Sequence, residues 1–380
     1  MLQVGFIGFG HQAAEQHAGC LVRNYADKIQ VVAIGDVLVS QVPAVRAQLH
    51  QLGWDGAALY TTPDERSGDA DDLQNISELF ANHPNLDVVI VSTPSAKHFY
   101  QVEACLRAGA HVLVDKPLAL TYEHGRHLTA LAAIQKRHLV VCSQRRYEAV
   151  YQYAKATIAR GELGRLLSIN CTISHEDWRE AWRLNPALAG GGVIWDFGWH
   201  VIDTILYLVD GAVVAVDASL HVPADALTET HAALLLHFRD GPPACVTING
   251  GAPKGSVYES LQIWGSGGIL FLQRHKPVYD TIPPSVTHQL QDGTLLQPDL
   301  TGATGQRWAP TDAFFRFLTT HDAADQADHD LPSAGFKSLD TIRVIEGAYA
   351  SAHKGRRIVL KAGTRVRRTP QPLLAHVSSR

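Results

Sequence analysis

The feature that most narrows the fold of this chain is a glycine turn, Gly8-x-Gly10-x-x-Ala13, set between an apolar run and a stretch of helical periodicity. Val4 to Phe9 read as a short buried strand, and Ala14, Ala18, Leu21, Val22 and Tyr25 then recur at helical spacing. A second apolar run, Ile29 to Gly35, ends at Asp36. Strand, helix and strand within about 35 residues are the size of one β-α-β unit. In such a unit Gly8 permits a tight turn, Gly10 removes a side chain where phosphates approach, and Ala13 lets helix and sheet lie close. The free N–H groups of the helix start suit an anion. Together with the intervening Phe9 and the following His11, this is a dinucleotide fingerprint. Asp36 stands 26 residues after Gly10, where a carboxylate accepts from both hydroxyls of an adenosine ribose and repels a 2′-phosphate. Val37-Leu38-Val39-Ser40 add no cation, so NAD is expected rather than NADP.

The alternation continues. Val42 to Leu52 and Ile76 to Asn82 read as helices, with a polar loop from Tyr60 to Asp72 between them. Strands at Asp87–Ser92, His111–Val114 and Leu139–Ser143 alternate with helices at Phe99–Ala108 and from Thr121, as N-cap, to His138. Near-continuous apolar strands separated by helices predict a parallel sheet covered on both faces. Beyond residue 145 the pattern changes. After a helix over Tyr147 to Ala159, candidate strands at 166–174, 213–220, 231–238, 244–248, 258–264 and 268–272 are separated by Pro and Gly turns, which predicts an α+β domain with a mainly antiparallel sheet. The expected division is a Rossmann-type domain over 1–145 and a substrate-binding and oligomerisation domain over 146–362. Residues 338–352 form a returning helix, and 363–380 a basic tail. A hydrophobic share of 46% over 380 residues supplies cores for both domains and argues against wholesale disorder.

Charge excludes some function classes. The net charge of -4 hides an asymmetry: residues 353–380 hold eight basic residues and no acid, leaving 25 basic against 37 acidic residues before them. The segment Arg356 to Leu360 reads as a closing strand, and no aromatics interleave with the basic residues as a nucleic-acid platform requires. A solvated tail or oligomer contact is expected, and no nucleic-acid partner. His321 to Asp330 reads as an acidic loop. No apolar run approaches the roughly 20 residues needed to cross a bilayer. The N-terminus shows no cationic leader, and the five cysteines form no CxxC unit, so a reduced, cytoplasmic setting is expected. With neither HExxH nor a tight His/Cys cluster, no metal is expected.

Three further motifs stand out. Ser92-Thr93-Pro94, with His98 just beyond, lies at the carboxyl edge where open parallel sheets bind ligands. Asp115-Lys116-Pro117 follows the next strand. Gly190-Gly191-Gly192-Val-Ile-Trp-Asp196-Phe-Gly198-Trp-His200-Val-Ile-Asp203 opens a helix, and its glycines are expected to leave room for a cofactor ring or substrate. Asp196 and His200 are four apart, so a regular helix puts them on one face, with Asp203 beside the same surface.

These motifs resemble the glucose-fructose oxidoreductase/inositol dehydrogenase/rhizopine-catabolism (Gfo/Idh/MocA) family over about residues 2–360, although the family's usual Glu-Lys-Pro is Asp115-Lys116-Pro117 here. The resemblance implies an N-terminal Rossmann domain and a C-terminal domain with a large, mostly antiparallel sheet whose open face takes part in a homodimer or homotetramer. It also implies that Lys116, Asp196 and His200 converge as a catalytic group between the domains. Gly8, Phe9, Gly10, His11, Ala13, Asp36, Ser92, Thr93, Pro94, His98, Asp115 and Lys116 are the expected cofactor residues. Arg146, His175, Trp178 and Trp182 are expected to join Lys116, Asp196 and His200 around the substrate, while Arg145 stabilises the domain crossing. The implied activity is hydride transfer between nicotinamide and a hydroxyl-bearing carbon of a cyclic polyol, sugar or sugar derivative. His200 would move the hydroxyl proton, Lys116 would stabilise the reacting oxygen and Asp196 would orient His200. Two alternatives are an NAD-dependent glycoside hydrolase using transient sugar oxidation and a non-catalytic nucleotide-sensing or structural protein.

Overall fold

A computed structural model of the chain describes residues 1–63, 69–176, 181–209, 211–253, 257–276, 284–300, 308–320 and 331–361. Six strands, β1 (Leu2–Ile7), β2 (Ile29–Leu38), β3 (Ala58–Thr62), β4 (Val88–Val91), β5 (His111–Val114) and β6 (Leu139–Val141), form one sheet in the order β3-β2-β1-β4-β5-β6. Every neighbouring pair is parallel. Helices cover both faces, which is why β4 is the uninterrupted run Val-Val-Ile-Val with all four residues fully buried. On one face Phe6, Ile34 and Ile90 pack with Phe314 and Phe315 of the helix Ala309–Thr320; on the other, Ile7, Val89 and Val91 pack with Val102 and Leu106. Strand order reverses between β1 and β4, so the crevice at their carboxyl ends is the ligand position of a doubly wound sheet.

The second sheet has nine strands: β7 (Leu166–Glu176), β8 (Val213–His221), β9 (His231–Phe238), β10 (Ala244–Ala252), β11 (Val257–Gly265), β12 (Gly268–Lys276), β13 (Ser285–Leu290), β14 (Leu295–Leu296) and β15 (Ile358–Val359). Their order is β14-β13-β12-β11-β7-β10-β9-β8-β15, antiparallel throughout except for the parallel pair β7–β10. Burial alternates along β9 and β10, as it does when one face is packed and the other is open. The packed face meets the helices Trp199–Leu208 and Leu339–Lys354, the latter being the expected returning helix. Among the described residues no helix is long and apolar enough to cross a membrane.

Several elements depart from the sequence reading. The loop expected over 60–72 begins inside β3 and ends inside the helix Asp69–Asn82. β3 is an edge strand with mostly half-exposed residues, so it lacks the apolar run that marks its neighbours. β13, β14 and the helix Ala309–Thr320 were not anticipated either. The acidic loop 321–330 and the basic tail 363–380 lie outside the described residues.

Arg146 and Asp203 are corrections. Both were expected near the substrate surface, yet they form a buried pair behind it. The Arg146 Nε and Nη2 atoms donate to the Asp203 carboxylate at 2.9 and 2.7 Å, and its Nη1 and Nη2 donate to the carbonyls of Pro332 and Lys337. Thr341 donates to the same carboxylate at 3.1 Å. Arg146 therefore ties the domain crossing to the chain after residue 331. Truncating one partner of a buried pair strands the other charge, so Arg146→Ala is expected to lower the unfolding free energy by about 3–5 kcal/mol in a denaturant titration. An unchanged midpoint would argue against this structural role.

Candidate active site

The glycine turn after β1 has the geometry a dinucleotide requires. Gly8 adopts φ +80°, and a Cβ there would meet the Ser92 carbonyl and the Thr93 methyl at 2.6 Å, so it serves both the turn and the close approach of the β4 loop. A Cβ on Gly10 would meet nothing within 4 Å: the space above the helix start is open. Ala13 is fully buried against the sheet. Phe9 turns its ring into the core, edge-on to Phe6, and His11 is exposed beside Glu15. These residues can cradle the NAD pyrophosphate through backbone N–H groups.

The Asp36 surroundings differ from expectation. Asp36 itself has φ +52° and is nearly buried. Lys97 places its ammonium 3.2 Å from the carboxylate, and Thr62 donates to the same oxygen at 3.1 Å. The sequence after Asp36 holds no cation because the cation comes from the loop after β4, 61 residues away. The position expected to meet the ribose is therefore an ion pair rather than a bare carboxylate.

The β4 loop faces the same crevice but uses its side chains internally. Ser92 donates to Asp115 at 2.5 Å, and Thr93 to Gln101. His98 is 1% exposed, with its ring nitrogens 2.6 Å from the Pro117 carbonyl and 2.9 Å from that of Thr93. It braces the Lys116 loop from beneath instead of presenting its ring to the crevice, as a cofactor-contacting role would require.

Lys116 crosses to the second domain. Its Nζ donates to Asp196 Oδ1 at 2.8 Å and to the Asp196 backbone carbonyl at 2.9 Å. The pair sits in the cleft with side chains 20% and 15% exposed. Asp196 does not hydrogen-bond His200, contrary to the expected helix-side contact. Residues Ile194–Gly198 form a π-helical turn whose wider i→i+5 spacing breaks the regular alignment of positions four apart. The carboxylate is turned to Lys116, with Arg183 3.8 Å away on its other oxygen.

That turn is clamped by a residue sequence reasoning missed. Glu229, buried in the segment before β9, accepts from the backbone N–H groups of Gly192 and Ile194 at 3.0 and 3.1 Å and from the Tyr349 hydroxyl at 2.7 Å. The glycine run exists for this clamp. A Cβ on Gly191 would lie 2.1 Å from the Tyr349 hydroxyl, and one on Gly192 would lie 2.1 Å from the Glu229 carbonyl. Protein atoms thus fill the room expected for a cofactor ring or substrate. No local pattern around Glu229 signals the contact.

His200 opens the helix Trp199–Leu208 and is partly exposed. Burial of the ring, then the positive charges of Lys116, Arg145 and Arg274, hold its pKa well below the ordinary value, so the imidazole is neutral. Arg145, rather than Arg146, is the member of the pair whose charge acts on His200. It is fixed by Glu259 at 2.5 Å and by Tyr151 at 2.8 Å, while Arg274 from β12 is fixed by Glu148 at 2.5 Å. Arg274 had no signal in the sequence beyond being a charged residue in a strand. His175 stacks on Phe197 with centroids 5.0 Å apart and belongs to the same group. Trp182 carries the Arg183 guanidinium over its ring at 4.5 Å. Trp178 lies outside the described residues.

Comparison with known proteins agrees with this architecture. Residues 2–143 match the oxidoreductase family with an NAD-binding Rossmann fold, and residues 151–271 match the Gfo/Idh/MocA C-terminal domain. The 1-carboxy-3-chloro-3,4-dihydroxycyclohexa-1,5-diene dehydrogenase of Comamonas testosteroni is 34% identical over 193 residues, 50% of this chain and 47% of that one. The levoglucosan dehydrogenase of Pseudarthrobacter phenanthrenivorans is 34% identical over 184 residues, 46% of this chain and 44% of its own. The matched stretches thus span about half of these curated relatives. The solved aldose-aldose oxidoreductase of Caulobacter crescentus shares the fold, with a TM-score of 0.75 at 21% identity over 94% of this chain and 99% of that one. Matched over both its parallel-sheet half and much of its antiparallel-sheet half, the chain belongs to the Gfo/Idh/MocA oxidoreductase family.

Proposed function

We propose that the protein is an NAD-dependent dehydrogenase acting on a CH–OH group of a cyclic polyol, sugar or sugar derivative. The observation that carries this reading is Lys116, at the mouth of an NAD-binding sheet, donating to Asp196 on the turn that leads into His200. Bound NAD supplies the hydride-accepting carbon, and the chain supplies position and proton handling. His200 takes the substrate hydroxyl proton in oxidation and returns it in reduction. Lys116 donates to the reacting oxygen and stabilises its developing charge. Asp196 holds Lys116 in place, a role different from the orientation of His200 that the helical spacing implied. The names of the relatives, dehydrogenases of a levoglucosan and of a hydroxylated ring, support this substrate class. A cytoplasmic setting is part of the same proposal.

Transfer of label from C4-deuterated NADH to carbonyl forms of sugars and inositols tests the assignment. His200→Ala and Lys116→Ala are each expected to slow it roughly 100- to 10,000-fold. Wild-type transfer by both variants would sink the reading.

The pH dependence follows from the charges around His200. Its pKa is lowered in the folded protein, so the neutral base persists below about pH 6.5, where an ordinary histidine is protonated. Removing a cation raises that pKa. Arg274→Gln is therefore expected to move the acid limb of the oxidation rate to higher pH, and an unmoved limb would show that Arg274 does not govern His200.

The oligomer is also part of the proposal. On the second sheet Trp264 is 38% exposed and packs edge-on with Phe271, an apolar patch suited to a second copy. Light scattering is expected to give a dimer or tetramer of the 41.4 kDa chain, and a monomer mass would refute it.

A further inference from the structure

Behind the Lys116 loop lies a buried polar group that the reaction does not consume. The Asp115 side chain is 22% exposed, and its carboxylate is held by neighbours from other elements. The ring nitrogen Nε2 of His17 lies 3.1 Å from Asp115 Oδ1, and Ser92 donates to Oδ2 at 2.5 Å. Cys142, at the end of β6, hydrogen-bonds the same carboxylate. The other ring nitrogen of His17 is 2.7 Å from the Thr311 hydroxyl. His17 is 2% exposed and Thr311 fully buried, so although hydroxyl, imidazole and carboxylate stand in the order of a nucleophile triad, no substrate reaches the Thr311 hydroxyl.

Its elements are informative. His17 sits on the π-helical segment Gln12–Ala18, the one opened by the Gly8–Gly10 turn. Ser92 follows β4, Cys142 follows β6 and Thr311 belongs to the helix Ala309–Thr320. Asp115 is the residue before Lys116. One carboxylate thus joins the carboxyl edge of the parallel sheet to the backbone that carries the cleft lysine. Burial opposes its charge, but His17 and then Ser92 outweigh it and hold the Asp115 pKa at about 2, so the anchor is an anion. The Cys142, His17 and Asp115 ligand atoms also lie within 4.8 Å of one another. Burial and the Asp115 charge push the Cys142 thiol well above its ordinary value, so it stands as a hydrogen-bond donor to that carboxylate.

We infer that His17 is a positioning residue: its hydrogen bond to Asp115 locks the Lys116 loop to the helix that receives the cofactor, and so fixes the Lys116 amine against Asp196. This rests on the proposed role of Lys116 only for its effect on turnover; the placement itself is measurable without a substrate.

The test is the acetylation rate of Lys116 by an N-hydroxysuccinimide acetate, read by peptide mass spectrometry, with the exposed Lys136 as internal reference. His17→Leu removes the donor and keeps bulk, whereas His17→Gln places an amide N–H near the Nε2 position. In His17→Leu, Lys116 is expected to react about tenfold faster than in the wild type, the effect of losing one hydrogen bond to a charged group. Lys136 should stay unchanged, and His17→Gln should restore most of the protection. Equal Lys116 rates in wild type and His17→Leu would overturn the inference, as would His17→Gln reacting as fast as His17→Leu. Stoichiometric zinc in the purified protein, with Lys116 protection lost on chelation, would replace the hydrogen bond by a metal and overturn it too. Unimpaired label transfer by Lys116→Ala would instead defeat the proposed function and leave the acetylation result standing.

Discussion

The Lys116–Asp196 pair is the interaction on which the site depends, because it is where a loop of the parallel sheet meets a turn of the second domain. Lys116 donates to both the carboxylate and the carbonyl of one residue, so its position follows the Asp196 backbone as well as its side chain. A half-buried pair of this kind is costly to break, about 3–5 kcal/mol when one partner is left alone in a desolvated place. Much of the surrounding structure keeps it whole. Glu229 and Tyr349 clamp the turn bearing Asp196, and His98 braces the loop bearing Lys116. The glycines between them are small because these clamps need the space.

The charges around the pair follow a consistent logic. Lys116, Arg145 and Arg274 each have an acidic partner, Asp196, Glu259 and Glu148, so the cations are held in place without leaving the cleft uncompensated. Their residual field falls on His200, which no carboxylate among the described residues is shown to pair with. A base kept neutral by burial and by neighbouring cations suits proton abstraction at neutral pH, and those cations also favour charge growing on a substrate oxygen. Fold and chemistry meet here: the reversal of strand order opens the crevice, and the second sheet supplies Arg274 and the floor beneath it.

The parallel sheet was legible in the sequence because its strands are buried on both faces and read as apolar runs ended by glycine, proline or aspartate. The glycine turn and Asp36 were legible for the same reason, since each sits at a strand end or helix start that local pattern marks, whereas Lys116, Asp196 and His200 were singled out as a group by the family resemblance. What escaped was non-local. Lys97 reaches Asp36 across 61 residues, Glu229 reaches Gly192 across 37, and Arg146 was separated from Arg145 only by which way each side chain points. The π-helical turn at Ile194–Gly198 escaped because spacing rules assume a regular helix, so Asp196 was assigned to His200 instead of Lys116. Edge strands β3 and β14 escaped because edges lack the apolar signature of central strands.

The central claim is that the Asp196 carboxylate holds Lys116 where the reacting oxygen will be. Single-turnover transfer of deuterium from C4-deuterated NADH by Asp196→Asn tests it most directly, since the substitution keeps size and removes charge. The transfer step is expected to slow at least about 100-fold while NADH affinity stays within about threefold of wild type. A transfer rate equal to wild type would contradict the claim and leave the Lys116–Asp196 pair a structural contact.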